Sequence, residues 1–152
     1  MKLPLNLTRR EWALLGLALL FATVVRGLYY REAAAQPSFA FPASDAAYHQ
    51  YWGRALATGD WTPPAGQPDP EIRTTPYFRP PGYPFFLAVI YRLFGVNPAA
   101  PRVAQMLLAL LNVALAFLLG RKLYGTATGF LFALFMGAPV RAGACPSAAR
   151  SS

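Results

Sequence analysis

Residues 103–119, VAQMLLALLNVALAFLL, run for 17 positions without a charged side chain. Wound as a helix at ~1.5 Å per residue they reach roughly 26 Å, close to the ~30 Å hydrocarbon core of a bilayer. The rest of the composition fits such a solvent. Of 152 residues 55% are hydrophobic and only 13% charged, whereas a soluble domain carries about 25% charged residues to cover its surface. An aromatic content of 14% excludes disorder. The one cysteine, Cys145, excludes an internal disulfide framework and a cysteine-cluster zinc site. Fourteen basic residues against six acidic give a net charge of +8. They lie between apolar runs and form no single patch, which points to membrane topology and away from nucleic acid as a partner.

Working toward the N-terminus, residues 12–30 form a second candidate span with Arg26 as their single charge. Arg26 would snorkel outward beside Tyr29 and Tyr30 at the interface. A cleaved signal peptide is the competing reading, because a basic start, an apolar core and Ala33-Ala34-Ala35 satisfy that pattern superficially. The alanines lie well past the core, behind Arg26, Arg31 and Glu32, and favour an uncleaved anchor. Toward the C-terminus, 121–125 reads as a turn and 126–140 as a short third span. Residues 83–94 are too short to cross. If they only dip into the interface, Lys2, Arg9 and Arg10 share the cytoplasmic side with Arg121 and Lys122, as the positive-inside rule prefers. The expected fold class is therefore all-α: polytopic membrane helices with an extracytoplasmic loop that contains interfacial amphipathic helices.

That loop covers 31–102, and 36–84 holds ten of the fifteen prolines. Within it, 43–58 reads as a helix, because Tyr48, Tyr51, Trp52, Ala55 and Leu56 recur along one face. Ser44 is the expected N-cap and Gly59 the stop. Its aromatic face is expected to lie along the membrane interface. Residues 59–82 read as an irregular proline-rich loop, and 83–94 as the interfacial helix. Gly16, Gly120, Gly125 and Gly129 read as helix-packing or turn glycines. After Val140 the pattern stops, and 141–152 reads either as a plain polar tail or, the favoured expectation, as a truncated or frame-shifted end.

Asp45 is the residue with the most chemistry to offer. At the first turn of a helix the partial positive charge of the N-terminus keeps a carboxylate ionised. An ionised carboxylate at a membrane surface can accept a proton from an incoming hydroxyl or amine. The same placement also occurs for helix stability alone. Tyr48 and His49 follow within one turn. As the only histidine, His49 rules out a histidine-pair metal site; with Asp45 it could supply one ligand, but the more economical role is a half-exposed interfacial side chain. Arg79, ahead of the rigid Pro80-Pro81, could meet a lipid phosphate with two parallel hydrogen bonds or serve as a headgroup anchor, and Arg26 has the same two readings.

The series Asp45-Ala-Ala-Tyr48-His49, Arg79-Pro-Pro-Gly-Tyr-Pro84, Arg102-Val-Ala-Gln105 and Leu118-Leu-Gly-Arg-Lys-Leu-Tyr-Gly125 resembles the N-terminal part of the polyprenyl-phosphate-sugar glycosyltransferases. The resemblance is to glycosyltransferase family 39, the protein O-mannosyltransferase and aminoarabinose transferase group with the GT-C fold. It spans residues 8–140. It implies a partial GT-C fold in a multi-pass protein of a bacterial inner (plasma) membrane, a polyprenyl-phosphate-linked sugar as donor, transfer on the extracytoplasmic side, and inversion at the anomeric carbon. It also implies that Asp45 is the general base or a key acceptor-site carboxylate. The substrate-binding candidates are Arg26, Tyr48, His49 and Arg79. Many members carry two adjacent acids where this chain has Asp45 and Ala46, so a metal relying on the second acid has no support in the sequence and the cofactor stays open. A small non-enzymatic scaffold or partner subunit is the alternative reading.

Overall fold

A computed structural model describes residues 6–40, 44–63 and 80–138. All regular structure among them is helical: α1 (Arg9–Ala34), a 3₁₀ turn (Pro37–Phe39), α2 (Ser44–Thr58), α3 (Gly82–Phe94), α4 (Ala99–Tyr124) and α5 (Thr126–Gly137). Two of these, α1 and α4, are long and apolar enough to cross a membrane. Only 17% of the most apolar window of each is buried within the protein. A core helix of a soluble protein would bury its leucines. Here Leu17, Leu20, Leu107, Leu111, Leu115 and Leu119 are all exposed, as expected of surfaces solvated by lipid.

Both long helices begin earlier than their apolar runs, and the cause is capping. At α1, Thr8 and Glu11 form a reciprocal box: the Thr8 N–H donates to Glu11 Oε2 (2.8 Å) and the Glu11 N–H to Thr8 Oγ1 (3.3 Å). At α4, Asn97 Oδ1 accepts from the Ala99 N–H (2.9 Å), with Pro98 between them, where its missing donor costs nothing. Arg102 thereby becomes helical although it precedes the apolar run. The helices α3 and α5, with 13 and 12 residues, reach roughly 20 Å and 18 Å, less than the ~30 Å hydrocarbon core.

The chain divides into two units. The first comprises Met1–Tyr29 and Ala109–Ser152. Its core is Leu15, Ala18 and Ala22 of α1, Val113 and Phe117 of α4, and Ala133 of α5. Small residues Gly129, Ala133 and Gly137 recur at four-residue spacing on the buried face of α5, which lets helix backbones approach closely. A Cβ at Gly129 would lie 2.6 Å from the Phe117 carbonyl oxygen, and one at Gly120 would lie 2.8 Å from Gly129 Cα. Gly125, at φ +94°, makes the turn between α4 and α5. Three of the four glycines thus act as expected. Gly16 does not, since nothing lies within 4 Å of where its Cβ would be.

The second unit, Tyr30–Leu108, is built on α2 and α3. Tyr51, Trp52 and Ala55 of α2 are buried, with Tyr48, Leu56 and Trp61 packed around them. This is the stripe expected from the sequence, but its use differs: Tyr51 and Trp52 are 6% and 5% exposed, so their surface is consumed by packing and is not presented to lipid. The helices α2 and α3 meet at Gly53, where a Cβ would fall 2.6 Å from Leu87 Cβ. Gly59, at φ +78°, ends α2 as expected, its N–H donating to Ala55 O. The side chain of Ser44, the expected cap, and residues 64–79 of the proline-rich loop lie outside the described residues.

Candidate functional site

Asp45, Tyr48 and His49 lie on the first two turns of α2. The Asp45 side chain is 67% exposed, and its Oδ2 is 3.4 Å from His49 Nε2, one turn further on. His49 is mostly buried. Its ring stands edge-to-face against Tyr83 of α3, with centroids 5.6 Å apart, and against Tyr48 at 5.8 Å. Tyr48 in turn meets Trp52 edge-on, and burial pushes its phenol above the ordinary tyrosine value. The α2 aromatic stripe therefore does more than hold the helix down. It fixes the imidazole that touches the carboxylate.

Beside this pair lies a cleft of about 110 Å³. Ala46 and Gln50 of α2 form one wall, Tyr83, Leu87 and Tyr91 of α3 a second, and Pro98, Pro101, Arg102 and Gln105 at the start of α4 a third, with Phe39 from the 3₁₀ turn. The α3 residues recur every four positions, so a single helix face supplies them. The Gln105 Nε2–H donates to the Tyr83 hydroxyl (3.0 Å). Arg102 stacks its guanidinium carbon 3.8 Å from the centre of the Phe39 ring and donates through Nη1 to Pro98 O (2.8 Å). Burial pushes the Tyr91 phenol up, with a Gln50 side-chain hydrogen bond opposing the shift. The cleft thus combines an apolar floor with hydroxyl, amide and guanidinium groups.

The structure brings three of the sequence-derived candidates, Asp45, Tyr48 and His49, onto one helix end. Arg26 belongs to the first unit, where Nη1 and Nη2 donate to Gly137 O (3.2 Å) and Met136 O (3.1 Å). A cation on the last carbonyls of α5 meets the negative end of that helix. Arg79 lies outside the described residues. Tyr83, Tyr91, Arg102 and Gln105 are the cleft residues that sequence reasoning passed over as site residues. Arg102 and Gln105 stood in the series that carries the family resemblance, three residues apart and so on one helix face; that spacing was the available signal. Among the described residues no three His, Cys, Asp or Glu side chains converge as metal ligands.

No curated protein and no solved structure matches the chain. A family model described as Dolichyl-phosphate-mannose-protein mannosyltransferase matches residues 78–144, somewhat under half of the sequence. The matched stretch holds α3, α4 and α5, and with them Tyr83, Tyr91, Arg102 and Gln105; Asp45, Tyr48 and His49 precede it. Over residues 78–144 the chain is similar to membrane mannosyltransferases.

Proposed function

We propose that this chain is the N-terminal part of a membrane glycosyltransferase of the GT-C type, an enzyme that transfers a sugar from a polyprenyl-phosphate donor to an acceptor on the extracytoplasmic side, with inversion. The observation that carries the proposal is the placement of Asp45. It opens α2 next to a cleft lined largely by residues of the stretch matching the mannosyltransferase family. In this reading the Asp45 carboxylate takes the acceptor's hydroxyl proton while the acceptor oxygen attacks the anomeric carbon. The bond from that carbon to the phosphate oxygen breaks on the opposite face, and the lipid phosphate departs with the electron pair. Cations placed where that charge develops lower the barrier. Arg79 is assigned this role, with Tyr48 and His49 lining the approach to Asp45. Arg26, two of whose nitrogens already serve the carbonyls of α5, acts as a helix cap.

The two spans, the same-side basic clusters and the family match together support an integral, multi-pass protein of a bacterial inner membrane. The reading is tested by reconstituting the chain with radiolabelled polyprenyl-phosphate mannose and following transfer to acceptor, with Asp45→Asn in parallel. Transfer that depends on Asp45 supports it; equal turnover by the variant removes Asp45 from the mechanism.

A further inference from the structure

His49 is the single histidine of the chain, and its two ring nitrogens meet opposite surroundings. Nε2 is 3.4 Å from Asp45 Oδ2. Nδ1 is buried with no hydrogen-bond partner among the described residues. A neutral imidazole carries one N–H and one lone pair. With the proton on Nδ1, a donor would be buried unmet while two lone-pair-bearing atoms faced each other at the carboxylate. With the proton on Nε2, the carboxylate gains a donor and only a buried lone pair goes unmet, the cheaper arrangement on both counts. The plane of the ring is held by Tyr83, which stands edge-on against it. Tyr83 is itself held by the Gln105 amide at its hydroxyl.

We propose that His49 is a positioning residue for Asp45: it presents an Nε2–H to one carboxylate oxygen, and Gln105 and Tyr83 hold its ring in the orientation that does so. The proposal rests on reading Asp45 as the base of the transfer reaction. A carboxylate has about four lone-pair positions, so an N–H at Oδ2 leaves capacity for the acceptor's proton while it helps to orient a side chain that is 67% exposed. Holding a base in its productive geometry is what converts proximity into rate. Tyr83 also lines the cleft. A ligand bound there would therefore touch the residue that orients the imidazole.

Because there is one histidine, ¹⁵N-histidine labelling of the full chain in nanodiscs yields one imidazole spectrum. The neutral ring is expected to show the proton on Nε2, and Asp45→Asn is expected to move the Nε2 resonance and to mix the two tautomers. Tyr83→Ala, which frees the ring, is expected to mix them as well. A ring protonated on Nδ1, or a spectrum indifferent to Asp45→Asn, overturns the proposal. In the transfer assay, His49→Phe is expected to lower kcat about 10- to 100-fold at little change in KM, the size seen when outer residues that orient metal ligands are lost. His49→Gln, whose amide nitrogen reaches as far as Nε2, is expected to restore most of the loss. Unchanged kcat in His49→Phe contradicts the positioning role. A spectrum with the Nε2 proton coupled to Asp45, from a chain that transfers no sugar, upholds the pairing and overturns the glycosyltransferase reading instead.

Discussion

Glu11 and Arg121, 110 residues apart, are ion-paired through the Arg121 Nε–H and Glu11 Oε1. The Thr126 hydroxyl donates to the same oxygen (2.9 Å), and the other carboxylate oxygen closes the cap of α1. One side chain thus joins the start of α1, the end of α4 and the start of α5. The two long helices are consequently antiparallel, and the basic clusters Arg9-Arg10 and Arg121-Lys122 lie at the same end of the first unit. This is the arrangement that the positive-inside rule asks for if α3 does not cross.

The topology can be read with membrane-impermeant maleimides. In a Cys145→Ser background, Lys122→Cys is expected to be labelled only from the cytoplasmic side of sealed vesicles and Asp60→Cys only from the opposite side. Labelling of both from one side would mean that the chain crosses between them an even number of times.

Helix packing in the first unit depends on glycine at one contact and is indifferent to it at another. Gly129→Ala places a methyl group 2.6 Å from backbone atoms of Phe117 and Arg121, which cannot step aside as a side-chain tip would. Overpacking of this kind costs about 1–3 kcal/mol. Gly16→Ala, with nothing within 4 Å, is expected to be neutral or to stabilise by about 0.5–1 kcal/mol through helix propensity. Unfolding titrations in mixed micelles compare the pair, and equal midpoints would contradict the close approach of α4 and α5.

The end of α2 carries a pH dependence. The Thr62 hydroxyl, its backbone N–H and the Arg54 charge hold the Asp60 carboxyl below its ordinary value. A depressed value means that the unfolded chain binds the proton more tightly. The contribution is therefore present above the unfolded carboxylate pKa of about 4 and is lost as pH falls through the lower, folded value. The Thr62 amide resonance is expected to hold steady through neutral and mildly acidic conditions and to inflect only below that range. Asp60→Ala is expected to abolish the inflection, and an inflection at or above pH ~4 would contradict the assignment.

Much of this architecture was legible because apolar runs and helical stripes are local signals. The run at 103–119 announced α4, and Tyr51, Trp52 and Ala55 announced α2 as a helix with one aromatic stripe, though the stripe was expected to face the membrane interface and is buried instead. What covers that face was not legible: Gly53 in mid-helix reads only as a weak position until Leu87 of α3 is seen against it. The Thr8-to-Glu11 spacing is readable as a capping box, whereas its partner Arg121 is set by tertiary packing alone. The same holds for the site. Asp45 could be singled out from its place at a helix start, but the ring of Tyr83 and the amide of Gln105, which fix His49, come from other helices. The contacts of Arg26 were hidden for the complementary reason, since its carbonyl partners on α5 lie 110 and 111 residues away.

The central claim is that the carboxylate opening α2 is the base of a glycosyl transfer, and the most direct measurement is single-turnover transfer from polyprenyl-phosphate mannose by wild type and Asp45→Asn in the same vesicles. The side chain is exposed, so the variant is expected to insert and to keep its helical content while its rate falls by ~10²- to 10⁴-fold, the usual cost of removing a positioned base. A variant that transfers mannose at the wild-type rate would contradict the account.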